Sequence, residues 1–158
     1  MSPGSWLAAG FAGTVLLTLV LAGTQAVGVT RMSIPYLLGT MIVPDRDRAR
    51  VLGIVFHLVN GWVFSLAHVG LLHAVGIFAW WAGAATGLVH GLFVLAVVLP
   101  ALPGIHPRMA SPTAGPAEDA PLEPPGFLAL HYGLGTPAAT LIAHAVFGAV
   151  VAALYRPA

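Results

Sequence analysis

The sequence predicts an all-α polytopic membrane protein: one transmembrane domain over residues 1–158, a four-helix bundle with an interfacial or re-entrant segment in its first loop. Three observations carry that expectation. Hydrophobic residues make up 58% of the chain and charged residues only 7%, too little charged surface for a water-soluble domain of 158 residues. Four apolar stretches, at about 6–29, 51–72, 78–99 and 137–155, are long enough to cross roughly 30 Å of hydrocarbon at about 1.5 Å per helical residue. None of the four contains a charged residue.

The first stretch ends in the small residues Ala22-Gly-Thr-Gln-Ala26, as a secretory signal would, but no positive side chain precedes it, so it reads as a retained helix. Only a tight turn around His73 to Ile77 separates the second and third stretches, which predicts an antiparallel hairpin. In the first loop, Met32 to Val43 is apolar but broken by Pro35 and Gly39, too short to span and therefore interfacial or re-entrant. The third loop, 100–126, is rich in Pro, Ala and acids, which predicts a flexible middle. At the start of the fourth stretch, Thr136 is expected to cap the helix and Pro137 suits its first position.

Arginine counts set the orientation. Arg31, Arg46, Arg48, Arg50 and Arg108 lie in the first and third loops, against Arg156 alone at the other side, so loops 30–50 and 100–126 are expected in the cytoplasm and both termini outside, in a bacterial cytoplasmic membrane. The chain has no Lys, and six Arg nearly balance five acids, so it offers no basic face for nucleic acid. The absence of Cys excludes disulfides, thiol chemistry and covalent c-type haem attachment.

Histidine carries the functional signal. His57, His90 and His144 lie roughly 9, 13 and 11 Å from the inner ends of their helices, so three helices bring an imidazole to one layer. His106 and His131 flank that layer in the third loop, whereas His68 and His73 are expected at the opposite interface, as are the anchoring side chains of Trp6, Trp80 and Trp81. At about 100° per residue, His57, Asn60, Phe64 and His68 form one stripe, Thr14, Thr18 and Gln25 another, and Thr136, Thr140 and His144 a third. Gly83, Gly87 and Gly91, beside Thr86 and His90, make a face on which another helix backbone can pack closely.

Imidazole nitrogens suit zinc, copper and iron, so His57, His90 and His144 are candidate metal ligands, with His106 and His131 as further ligands or proton shuttles. Asn60, Gln25, Thr140 and Thr86 are candidate partners that orient the rings. A pair such as His57 and His144 could instead hold a b-type haem. A lone transmembrane His is also commonly a simple hydrogen-bonding group, and neither ligand set has a diagnostic motif.

The segments Gly10-Phe-Ala-Gly-Thr14, Arg31-Met-Ser-Ile-Pro-Tyr-Leu-Leu-Gly-Thr40, His57-Leu-Val-Asn-Gly61 and His106-Pro-Arg-Met109 resemble a group of small uncharacterised bacterial four-helix integral membrane proteins without an assigned activity. The resemblance covers most of the chain and implies the architecture. It also associates His57, Asn60, His106 and Arg108 with that group's recurring motifs.

The functional expectation is a histidine-rich intramembrane site that binds a metal or haem cofactor for redox or small-molecule chemistry, because no buried carboxylate is available as a general base. Two other classes compete with it. One is an accessory or assembly subunit whose glycine face packs on a membrane-protein partner or a second copy. The other is a small transporter or channel, which the lack of an intramembrane carboxylate disfavours. Met32, Met41 and Met109 point only weakly to copper.

Overall fold

The computed structural model describes residues 3–111 and 122–157. Along them run α1 (Pro3–Ala26), α2 (Ile34–Thr40), α3 (Arg46–Val75), α4 (Trp80–Phe93), α5 (Leu99–Ile105) and α6 (Thr136–Leu154). A π-helical turn, Val94–Val98, joins α4 to α5, and a 3-10 turn, Phe127–Tyr132, leads into α6. Four rods are long and apolar enough to cross a membrane: Gly4–Ala26, Arg46–Val75, Trp80–Ile105 and Thr136–Leu154. The chain is therefore an all-helical, four-span membrane bundle.

The helix ends differ from the expected ones for local reasons. α3 starts at Arg46 because the Asp45 side chain accepts from the Arg48 amide at 2.9 Å, so the arginine cluster rides on the helix. It ends at Val75, where Gly76 turns left-handed at φ 71°. The third span does not stop at Leu99. Pro100 follows directly on the π-helical turn, and the helix continues through Pro100 and Pro103 to Ile105. Thr136 does not cap α6: Gly135 holds the cap position, and the Thr136 hydroxyl meets Thr30 Oγ1 at 2.7 Å. Most of the loop middle expected to be flexible, 112–121, lies outside the described residues. On either side of it, the Ala110 amide donates to the Leu122 carbonyl at 3.0 Å.

α6 is the centre of the packing. Its line Thr136, Thr140, His144, Gly148 and Ala152 is buried, mostly against α4. A Cβ placed at Gly83 would run into the Gly148 carbonyl, and one at Gly87 into the His144 carbonyl, so only hydrogen at these positions allows the two backbones to touch. α1 packs on α6 and α3, and α2 folds back onto α3, with Gly39 against the Ala49 backbone and Gly53 against the Pro35 carbonyl. The backbones of α3 and α4 stand apart despite being joined by a short turn, and side chains bridge the gap between them.

Ser5 Oγ donates to the Arg156 carbonyl at 3.2 Å, so the two outer helices start and finish at one end of the bundle. At the other end, the Arg31 amide donates to the Tyr132 carbonyl at 2.7 Å and the Arg31 guanidinium to the His131 carbonyl. Burial and the nearby Glu123 carboxylate push the Tyr132 phenol up to about 12, so its hydroxyl stays protonated and donates to the Glu123 carbonyl at 2.6 Å. Leu38, Met41, Leu99 and Leu102 line the interior toward this end.

Gly87→Val should destabilise the detergent-solubilised protein by about 1–3 kcal/mol or more, because its side chain has no room against α6. Gly104→Ala, where nothing lies within 4 Å, should be neutral or slightly stabilising. Thermal melts of the two variants check this, and equal melting temperatures would refute the tight α4–α6 seam.

Candidate functional site

A cavity of about 130 Å³ lies at the centre of the bundle. His57, Asn60 and Phe64 reach it from α3, His90 from α4, and His144 and Phe147 from α6. The rest of its lining is almost wholly apolar, and no charged side chain among the described residues lines it. Phe64, His90, Val94 and Val98 are only half-buried, so the wall between α3 and the π-helical turn is thin. π-helical turns occur often beside functional sites, and here Val94 and Val98 face the cavity.

Hydrogen bonds assign the proton on each ring, because a carbonyl only accepts and a hydroxyl has one proton to give. His144 Nδ1 lies 2.8 Å from the Thr140 carbonyl, so Nδ1 carries the proton and donates. Thr18 donates its hydroxyl proton to the Thr14 carbonyl at 2.7 Å, so its oxygen accepts from His57 Nδ1–H at 3.2 Å. Thr86 likewise donates to the Gly83 carbonyl at 2.9 Å and accepts from His68 Nδ1–H at 2.8 Å. His68 then has its lone pair on Nε2, which accepts from His90 Nδ1–H at 3.4 Å.

The outcome is uniform. His57, His90 and His144 all hold the proton on Nδ1 and keep a lone pair on Nε2. His90 Nε2 is buried without a hydrogen-bond partner, as is the Thr140 hydroxyl one turn before His144. The His90 ring is held rigidly, stacked on Phe64 with centroids 4.1 Å apart and edge-on to His144 at 4.8 Å and 86°. Its position therefore depends on neighbours from both α3 and α6.

Of the five expected ligands, the cavity brings together His57, His90 and His144, and leaves out His106 and His131. His106 is fully engaged elsewhere: Nδ1 accepts from the Arg108 amide at 3.1 Å, and Nε2–H donates to the Leu37 carbonyl at 3.0 Å. Arg108 Nη1 donates to the Thr40 carbonyl at 2.6 Å, so the two residues satisfy the C-terminal carbonyls of α2 and pin it down. His131 is exposed and lies 2.9 Å from the Pro124 carbonyl. Among the partner residues, Asn60 lines the cavity, Thr140 serves His144 through its carbonyl, Thr86 serves His68, and Gln25 lies in a separate recess.

His68 is the residue that sequence reasoning assigned elsewhere. It is 4% exposed, so protein encloses its polar tip where water was expected to reach it, and it supports His90 from the side away from the cavity. The signal for it was the α3 stripe that already linked it to His57 and Phe64. His73 is exposed, and its Nε2 lies 2.9 Å from the Tyr155 hydroxyl. Among the described residues, no three His, Asp or Glu side chains stand close enough as placed to hold a metal ion.

No protein-family model matches the chain, and neither does any curated protein or solved structure.

Nitrogen-15 spectra of histidine-labelled protein should show His57, His90 and His144 protonated on Nδ1 and unprotonated on Nε2. Thr86→Val should leave His68 Nδ1–H without an acceptor, cost about 1–3 kcal/mol, and shift the signals of both His68 and His90. A wild-type His90 carrying its proton on Nε2 would refute the assigned chain.

Proposed function

We propose that this is a ligand-binding membrane protein whose site is the histidine-lined cavity. The occupant is a small, uncharged molecule of the lipid phase that donates a hydrogen bond to imidazole Nε2, a phenol or quinol by chemical type. The observation that carries this reading is the buried, partnerless Nε2 of His90. A buried acceptor left unpaired costs about 1–3 kcal/mol, and a donor from a ligand removes that cost.

Size and polarity support the same reading. At about 130 Å³, the cavity is close to the roughly 150 Å³ that accommodates a benzene ring in an engineered protein core. No charged residue among those lining it could neutralise an ion. The thin flank between α3 and the π-helical turn faces lipid, the phase in which such a molecule dissolves.

The site belongs to the end of the bundle that carries Arg31, Arg46, Arg48, Arg50 and Arg108. By the positive-inside rule, that end faces the cytoplasm of a bacterial cell, with both termini outside. An accessory subunit that docks through Gly83, Gly87 and Gly91 has less support, since α6 of the same chain covers that face. A channel has less support too, since the residues that α2 and α5 contribute to the lining at the arginine-bearing end, Ile34, Leu37, Leu38, Leu99 and Leu102, are all apolar.

Binding of a short-chain benzoquinol, compared with its dimethyl ether, tests the proposal by thermal shift. The quinol should bind, and the ether, which cannot donate, should bind about fivefold to tenfold more weakly for each hydrogen bond lost. His90→Leu should abolish the difference. Equal affinity for the two compounds, or no binding of either, would remove the proposal.

A transition-metal cofactor is the second reading, favoured by one observation. Each of His57, His90 and His144 donates its Nδ1 proton to a partner, as metal-ligating histidines commonly do. Closure on one ion would require the rings to turn inward. With no carboxylate in the lining, a singly charged copper ion is easiest to hold, and Met41 offers a thioether on the same wall. A b-type haem held by His57 and His144 has less support, because the cavity they line, about 130 Å³, is too small for a porphyrin. Elemental analysis of protein purified without chelator decides the matter: stoichiometric metal, lost in the His57/His90/His144 triple alanine variant, would favour this reading over the first.

A further inference from the structure

A second recess, of about 280 Å³, lies at the arginine-bearing end of the bundle between α2, the start of α3 and the segment before α6. Unlike the central cavity, it is polar: Arg31, Arg46 and Arg50 line it together with Gln25, Ser33 and Tyr36. We propose that this recess binds an anionic phosphate group, supplied by a phospholipid headgroup or by a soluble phosphate ester.

The arginines do more than mark a membrane side. A topology signal requires only positive charge near the helix ends, whatever direction the side chains take. Here three arginines from two segments converge on one recess. Arg46 and Arg50, four residues apart on α3, share a face, and Arg31 comes from the chain after α1. The other two arginines of this end go elsewhere. Arg48 borders a shallow groove with Val51 and Leu52, and Arg108 is bound to the Thr40 carbonyl.

Charge balance favours an anion. Among the described residues that line it, Glu123 is the one carboxylate, against three guanidinium groups. Arg31 Nη2 meets Glu123 at 3.2 Å as well as the His131 carbonyl, and Arg50 meets Asp47 at 3.4 Å, in a pair whose side chains are 54% and 92% exposed; Arg46 has no such carboxylate partner among the described residues. Exposed pairs of this kind are weak and readily exchanged for a better acceptor. The planar fork of Arg matches the oxygens of a phosphate, and the Ser33 hydroxyl, the Tyr36 phenol and the Gln25 amide add neutral donors. The recess also lies just beyond the apolar lengths of α1 and α3, where headgroups are found; basic pockets at this level bind acidic lipids in other membrane proteins.

Native mass spectrometry of the full chain in an uncharged detergent tests the proposal. The probes are short-chain phosphatidylglycerol, phosphatidylcholine with the same chains, and glycerol phosphate. Wild-type protein should bind phosphatidylglycerol at least tenfold more tightly than phosphatidylcholine, and Arg46→Gln/Arg50→Gln should weaken that binding about thirtyfold. Arg48→Gln, outside the recess, should leave it unchanged. Both substituted arginines are exposed, so the double variant should keep its helical circular dichroism. Phosphatidylglycerol bound in preference to glycerol phosphate identifies the lipid as the source, and equal or better binding of glycerol phosphate identifies a soluble ester. Unchanged binding in the double variant, an equal loss in Arg48→Gln, or no binding of either phosphate probe would overturn the proposal.

Discussion

The bundle depends on the close contact between the backbones of α4 and α6. Without a hydrophobic force between helices in lipid, association rests on packing and on hydrogen bonds, and glycine is what permits backbones to approach. Gly83 and Gly87 meet the carbonyls of Gly148 and His144 directly. That seam carries His144 into the centre, edge-on to His90, and places Phe147 beside the rings of His68 and His90. α3, by contrast, is kept away from α4 by the bulk of Phe64, His68 and His90. One seam is tight and the other is open, and the cavity lies on the open side.

Threonine governs the chemistry of the interior. In hydrocarbon, a Thr hydroxyl gives its proton to the carbonyl one turn back, and it is then left able only to accept. Thr18 and Thr86 both do this, and each thereby fixes the ring of a histidine on a neighbouring helix. The series from the Gly83 carbonyl through Thr86 and His68 to His90 ends on a carbonyl, which has no proton to pass on. It is an anchor for one tautomer and not a conduit for protons. A bundle without intramembrane charge can in this way still fix which nitrogen of each buried imidazole keeps its lone pair.

Much of the fold was legible in the sequence because length and apolarity suffice to mark spans. Gly83, Gly87 and Gly91 marked a packing face, and the depth of His57, His90 and His144 placed them in one layer. Side-chain contacts were harder to read. A second span expected to stop at 72 put His68 about one turn from its end with its polar tip in water; in the fold Thr86 and His90 of α4 and Phe147 of α6 enclose the ring. His106 could not be read correctly from position alone. Its role comes from the Leu37 carbonyl and the Arg108 amide, one of them distant in sequence, and both nitrogens are used before any ligand could compete. The left-handed turn at Leu128 and Ala129, with φ of 50° and 60°, has no sequence signature either, since both residues normally avoid that region.

The π-helical turn at Val94–Val98 imposes a constraint of a different kind. It makes a wider loop than an α-helical turn, and so takes up more chain between His90 above it and Leu99 and Leu102 below. If the same residues tightened into an α-helical turn, everything after it would rotate by about 100° relative to α4. Leu99 and Leu102 would then leave the cavity floor, and His106 would swing away from α2. Loss of one residue together with that tightening would cancel the rotation, because the π turn holds the extra residue. Interchange among Val, Leu and Ala within the turn leaves the register alone: what the positions of Leu99, Leu102 and His106 require is that the width of the turn and its number of residues match.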